Sequence, residues 1–324
     1  MHSEMDMKVG FIGLGTMGAS MAANLQKADH SLIVYDIRKE AAQQHIADGA
    51  VWVDSLREVA AASEVVFTSL PGPPEVEETA LGPEGILAGM RPDTAFFDLS
   101  TNSRAVVQKI HAAFAEQGVH MLDSPVSGGP RGAASGKLAL WVGGEESVYQ
   151  RFKPVLDAIG DQARYVGSIG QATVAKLVHN CASYAINTAL AETFTMGVKA
   201  GVDPLVLFEA VRQGATGRAR TFDRLVDQFL PNRYDPPAFA LRLAHKDVSL
   251  AVALGREVGV PMRLCNLTLE EMTEARNRGW DALDSRAPMM LQQERAGVKI
   301  EVDPGRISAS LAADTSTASD PAKR

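Results

Sequence analysis

A doubly wound α/β sheet followed by an all-helical domain is the architecture this sequence predicts, and three observations predict it. A short apolar run at Lys8–Ile12 breaks into Gly13-Leu14-Gly15-Thr16-Met17-Gly18 and then into an apolar helical pattern. From Lys8 to about Val166, short apolar runs alternate with longer amphipathic ones, the pattern of a parallel sheet covered by helices. After about Gly167 the strand signals stop, and helical periodicity runs from Gln171 to Gly201 without a proline.

Taken in order, strands are expected at Lys8–Ile12, Ser31–Tyr35, Val65–Ser69, Thr94–Asp98, Val119–Leu122, Leu138–Val142 and Ala163–Val166. Helices are expected at Met17–Ala28, Lys39–Asp48, Ser103–Gln117 and Glu146–Ile159 in the first half. Beyond the long Gln171–Gly201 helix, others follow at Pro204–Gln213, Arg218–Phe229, Lys246–Val258 and Met262–Arg278. The expected division is a sheet domain over residues 1–168, a helical domain over 169–300 and a disordered tail over 301–324, where Ala, Ser, Thr and Asp dominate.

The bulk properties narrow the function. At 324 residues the chain is long enough for two cores. Its net charge of −7 offers no basic footprint for nucleic acid or an anionic membrane. Cys181 and Cys265 stand alone, without disulfide or zinc spacing. The acidic Met1–Met7 segment runs straight into the first strand, so no signal peptide and a cytoplasmic location are expected. No apolar run reaches the length needed to span a bilayer.

Glycine chemistry gives the first strand its meaning. In a strand–turn–helix unit, Gly13 lets the chain turn, Gly15 lets the backbone approach a pyrophosphate and Gly18 lets the helix pack close on the strand. Leu14, Thr16 and Met17 complete the turn, and the N–H groups of the helix start face the phosphates. The second strand ends on Asp36, within the spacing expected of a Rossmann-type dinucleotide-binding domain. A carboxylate there accepts hydrogen bonds from an adenosine ribose and repels a 2′-phosphate, so NAD is expected over NADP, although Arg38 lies close by.

Ligands in such sheets bind beyond the carboxyl ends of the strands. Leu70-Pro71-Gly72-Pro73-Pro74-Glu75-Val76 is expected as a proline-stiffened loop along the cofactor, with Leu70, Pro71 and Glu75 facing it. Asp98-Leu99-Ser100-Thr101-Asn102-Ser103 is rich in hydroxyls, and Asn102 or Ser103 is expected to cap the next helix. Asp123-Ser124-Pro125-Val126-Ser127-Gly128-Gly129 exposes backbone N–H groups suited to an anion.

Proton chemistry points to the long helix. Lys176 and Asn180, four residues apart, share one helical face. Val174, Ala175, Leu177 and Val178 beside them are expected to desolvate the lysine and lower its pKa, which suits proton exchange near neutral pH. His179 is a competing proton carrier and His245 a weaker one. No His, Asp and Glu set has metal-ligand spacing, so no metal is expected. Ser127 lacks a base partner and a nucleophile elbow, which argues against acyl chemistry.

In this order, the motifs over roughly Lys8 to Gly279 resemble the β-hydroxyacid dehydrogenase family, which includes 3-hydroxyisobutyrate dehydrogenase and tartronate semialdehyde reductase. The resemblance implies that Lys176 is the catalytic lysine, Asn180 its helper, and Ser127, Gly128 and Gly129 the holders of a substrate carboxylate. It implies that Leu70, Pro71 and Thr101 line the cofactor and that Lys246 reaches its nicotinamide end. The implied activity is hydride transfer between NAD and a small 3-hydroxy acid, in a homodimer or homotetramer. Pro130-Arg131 and Trp141 depart from the common pattern and leave the substrate open. The alternatives are an NADPH-dependent semialdehyde or glyoxylate reductase, against which Asp36 stands, and a silent NAD-binding protein, against which Lys176 and Asn180 stand.

Overall fold

The computed structural model describes residues 7–218 and 221–318, the side chains of a few helical positions, Lys246 among them, excepted. The strands are β1 Lys8–Ile12, β2 Ser31–Tyr35, β3 Val51–Trp52, β4 Val65–Thr68, β5 Ala95–Asp98, β6 His120–Asp123, β7 Val126–Ser127, β8 Ala139–Gly143 and β9 Gln162–Gly167. They form one sheet in the order β3-β2-β1-β4-β5-β6-β8-β7, with β9 also on β8. Pairing is parallel from β3 through β6 and antiparallel where β8 meets β6 and β7. β3 and β7 have only two residues each, too short to show the alternation that reveals a strand in sequence.

Helices of this part are α1 Gly18–Lys27, α2 Gln43–Ala47, α3 Leu56–Ala62, α4 Pro73–Leu81, α5 Arg104–Glu116, α6 Gly129–Ser135 and α7 Glu146–Ile159. The inner strands are apolar on both faces because both faces are covered. Val65 and Phe67 of β4 join one core with Val9, Phe11 and Phe97, while Val66 joins the other with Ile12 and Phe96. Across the first core, Phe11, Phe67 and Phe97 stack in sequence at ring separations of 6.3 and 5.3 Å, and Phe152 meets Phe97 edge-on at 5.8 Å. On the opposite face Gly10 admits α3 closely, since a Cβ there would lie 2.6 Å from both Ser63 Oγ and Val59 Cγ1.

The Leu70–Val76 segment is loop only as far as Gly72: α4 begins at Pro73. Proline is accepted in a first helical turn because the missing N–H has no intrahelical partner there. Ser103 caps α5 by accepting from Val106 N at 3.3 Å, and Asn102 instead turns its amide to Asp98.

The long helix, α8 Gln171–Lys199, is followed by α9 Pro204–Gln213, α10 Ala215–Arg218, α11 Leu241–Glu257, α12 Arg263–Asn277, α13 Met289–Ala296 and α14 Pro304–Ala318. The helix expected over Arg218–Phe229 is reduced to a 3-10 turn at Thr221–Leu225 among the described residues. The chain divides into compact units Met1–Ala182 and Ser183–Arg324, with the cut inside α8. The reason is that the first turns of α8 are bonded to β6, as described below. In the second unit Asp284 accepts from Ala238 N and Arg286 Nε at 2.9 and 3.0 Å, and Glu192 accepts from Leu264 N at 2.9 Å at the start of α12.

The expected disordered tail over 301–324 is corrected across most of its length. Asp303 Oδ1 accepts from Arg306 N at 3.1 Å, Pro304 opens α14, and Ile307 is buried. Alanine is the strongest helix former, and Asp-Pro suits a helix start. Residues 319–324 lie outside the described residues. Among the described residues, no helix is long and apolar enough to cross a membrane.

Candidate active site

Gly13, Gly15, Thr16, Met17, Gly18, Asp36, Leu70, Pro71 and Glu75 line one cleft of about 780 Å³ at the carboxyl ends of β1, β2 and β4. The three glycines have separate reasons. Gly13 has φ +92°, and a Cβ there would lie 2.4 Å from Ser69 O. A Cβ on Gly18 would lie 1.9 Å from Gly13 O. Gly15, by contrast, has no protein atom within 4 Å of its Cβ position, so the space it leaves free belongs to the cleft.

α1 offers the matching donors. Met17 at its N-cap makes no side-chain cap and its first turn carries no acidic residue, which suits this helix start to an anion. Leu14 is buried and faces away from the cleft, but its N–H donates to Asp36 Oδ2 at 2.7 Å. Asp36 Oδ1 accepts from Arg38 N at 2.9 Å, and the mostly exposed Arg38 guanidinium sits 3.9 Å from the same oxygen. The glycine cradle, uncapped helix and strand-end carboxylate together fit the pyrophosphate and ribose of a dinucleotide.

Asp98, at the end of β5, is 1% exposed. It accepts from Thr68 Oγ1 at 2.9 Å, Ser100 N at 3.0 Å and Asn102 Nδ2 at 2.8 Å. Ser100 Oγ in turn accepts from Leu70 N at 3.0 Å. Desolvation pushes the Asp98 carboxyl up, opposed by these bonds. The network ties the loops after β4 and β5 together, which sets Leu70 and Pro71 on the cleft wall. Thr101 lies beside this network, exposed and outside the cleft lining.

The second cluster sits at the end of β6. Asp123, 1% exposed, accepts from Gly170 N at 2.8 Å and from Thr173 N at 2.6 Å. Desolvation raises its carboxyl too, opposed by the same two backbone donors. One turn further along α8, Lys176 Nζ donates to Val126 O at 2.7 Å. Ser127, Gly128 and Gly129 follow directly; the glycines take φ +140° and +60°, and their backbone is exposed.

Lys176 is half-buried, and burial pushes its pKa below the ordinary lysine value. Val174, Leu177 and Val178 are 43%, 43% and 57% exposed, and it is the Val126 segment that meets the ammonium. Asn180 is half-buried one turn on, its Oδ1 3.2 Å from His179 Nδ1. The His179 ring packs on Trp141 of β8 at 5.4 Å, which accounts for that bulky strand residue. Arg131, in the first turn of α6, is exposed. Lys246 falls in α11, its side chain outside the described residues. Among the described residues, no three His, Cys, Asp or Glu side chains gather as metal ligands.

Thus the cleft unites nine of the residues expected at the cofactor, while Ser127, Gly128, Gly129, Lys176 and Asn180 form a separate cluster on the β6–β7 segment and α8. Asp123 was not singled out from the sequence. Its signal, a lone carboxylate ending an apolar strand, is shared with Asp98 and becomes informative only with its distant partners.

Two family models together cover most of the chain. Residues 8–167 match the model of the NAD-binding domain of 6-phosphogluconate dehydrogenase. Residues 170–292 match the model described as NAD-binding of NADP-dependent 3-hydroxyisobutyrate dehydrogenase. The chain is 33% identical to 2-(hydroxymethyl)glutarate dehydrogenase of Eubacterium barkeri, over 92% of this chain and 98% of that one. It is 35% identical to 2-hydroxy-3-oxopropionate reductase of Escherichia coli, over 76% and 83%. Among solved structures, 3-hydroxyisobutyrate dehydrogenase of Mycobacterium tuberculosis with L-serine aligns at a TM-score of 0.62 and 31% identity, over 89% of this chain and 99% of that one. Fold, cleft and relatives define an NAD(P)-binding oxidoreductase acting on a CH–OH group. Within that class, the chain belongs to the β-hydroxyacid dehydrogenase family.

The glycine geometry separates binding from folding. Gly15→Ala should leave the melting temperature unchanged and weaken dinucleotide binding on the order of tenfold, about 1.4 kcal/mol. Gly13→Ala should instead lower the melting temperature, because both its φ and its neighbours forbid a Cβ. Calorimetric melting and a cofactor titration of each variant check this.

Proposed function

We propose that this enzyme oxidises a small 3-hydroxy acid with NAD, using Lys176 as the general acid/base. The observation that carries the proposal is the half-buried Lys176 ammonium held on Val126 O, one residue before Ser127-Gly128-Gly129. A dinucleotide held by the glycine turn and Asp36 would supply the hydride acceptor for the substrate's carbinol carbon. Neutral Lys176 takes the hydroxyl proton in oxidation and returns it to the carbonyl oxygen in reduction. Ser127 and the exposed backbone of Gly128 and Gly129 hold the substrate carboxylate, and Asn180 orients the hydroxyl or the lysine. Lys246 is assigned to the nicotinamide end of the site by family resemblance.

Asp36 supports NAD: its carboxylate, fixed by Leu14 N and Arg38 N, presents acceptors to a ribose and repels a 2′-phosphate. Arg38 favours the alternative, an NADPH-dependent semialdehyde reductase, because its guanidinium is largely exposed beside the cleft. The names of the relatives put 2-(hydroxymethyl)glutarate, 3-hydroxyisobutyrate and 2-hydroxy-3-oxopropionate first among substrates to assay. A homodimer or homotetramer is proposed on the exposed apolar residues Leu190, Leu205, Val206, Phe208 and Val211 of α8 and α9, which water disfavours on a lone chain.

Lys176→Ala should lower turnover about 10²- to 10⁴-fold, the range of a lost general acid/base, while leaving cofactor affinity unchanged. In the native enzyme, oxidation requires the neutral amine and should rise with pH through the Lys176 pKa; reduction requires the ammonium and should fall there. Because burial depresses that pKa, the limb should lie below the ordinary lysine range. Steady-state profiles in both directions test this, and unchanged turnover in Lys176→Ala refutes the mechanism. Asp36→Ala should reduce the NAD over NADP preference roughly tenfold, about 1.4 kcal/mol, in parallel cofactor titrations. Light scattering should give a dimer or tetramer mass; a monomer across working concentrations contradicts the assembly.

A further inference from the structure

We infer that Asp123 is the positioning residue for Lys176: its carboxylate fastens the first turn of α8 to the end of β6 and so sets the lysine on Val126 O. The inference rests on the proposed role of Lys176 in proton transfer. Its basis is a two-rung arrangement. Along the strand side, Asp123 and Val126 are three residues apart; along the helix, Thr173 and Lys176 are three apart, one turn. The rungs are Thr173 N to Asp123 Oδ2 at 2.6 Å and Lys176 Nζ to Val126 O at 2.7 Å. A third bond, Gly170 N to Asp123 Oδ1 at 2.8 Å, fixes the residue before the helix.

A Cβ on Gly143, its partner across the β6–β8 ladder, would lie 2.5 Å from Asp123 Oδ1, so glycine at 143 leaves the carboxylate its place. Both oxygens accept from N–H groups at the helix start, which have no intrahelical partner. A negative charge there is also favoured by the helix dipole. With the rung at Thr173 fixed, the backbone of Lys176 is held one turn along, within reach of Val126 O. His179 is the other titratable group on this stretch of α8, and its ring is engaged by Trp141 and Asn180. Asp123 itself contacts neither the cleft nor the Ser127–Gly129 segment, so its contribution passes through α8.

The test separates position from charge. Asp123→Asn keeps the shape but turns an amide donor against an N–H donor. It should bind NAD within about twofold of wild type, lose about 10- to 100-fold in kcat, and move the Lys176 limb of the oxidation profile to higher pH. The upward move follows because a lysine released into water regains its ordinary proton affinity. Loss of the negative charge acting alone would move the limb to lower pH. Thr173→Pro removes one rung's donor and leaves the carboxylate in place, in a first turn that accepts proline, and should move the limb the same way. It also stands as the test if Asp123→Asn does not fold. A limb that stays put or moves lower in the folded variants overturns the inference. Wild-type enzyme without turnover, or Lys176→Ala that keeps the limb, overturns the proposed function instead.

Discussion

Buried carboxylates must have their oxygens bonded, and in this sheet that requirement shapes the loops around the site. Asp98 and Asp123 end adjacent strands in register, each 1% exposed. The desolvation penalty of a buried ion is several kcal/mol, enough to unfold a domain of ordinary stability if left uncompensated. Compensation comes from Thr68, Ser100 and Asn102 for one, and from Gly170 and Thr173 for the other. The first set draws the β4 and β5 loops to the cleft wall; the second fixes the helix that carries Lys176. Each acidic residue thus converts an energetic liability into a fixed geometry.

The glycines work by the opposite logic, through what they leave out. Gly13 and Gly18 are needed because the protein's own atoms fill the space where a Cβ would go. Around Gly15 no other part of the chain fills that space, which faces the cleft. The open side of Gly15 and the uncapped start of α1 both belong to the cleft end of the first strand–turn–helix unit.

Much of this was legible in the sequence, for physical reasons that also mark where legibility ends. Inner strands and α7 were found at their residues because a sheet buried on both faces and an amphipathic helix write their periods into the chain. Two-residue β3 and β7 write none. Glu75 sits on a helix start because prolines that end a strand can also begin a helix. Lys176 was expected to be desolvated among helical neighbours, and it is half-buried, but the carbonyl that its ammonium bonds, Val126 O, lies 50 residues earlier. Asp123 escaped notice for the same reason, its donors lying 47 and 50 residues away. Local pattern encodes elements, and only the fold brings such separated groups together.

The central claim is that the Lys176 cluster and the dinucleotide cleft together carry hydride transfer on a hydroxy carboxylate. The most direct measurement is formation of reduced NAD over a panel of small 3-hydroxy acids, each paired with the same alcohol carrying an amide in place of the carboxylate. The account predicts turnover of at least one acid and its loss in the matched amide. Turnover of neither class in either direction, with NAD bound, would contradict it, as would equal turnover of an acid and its amide.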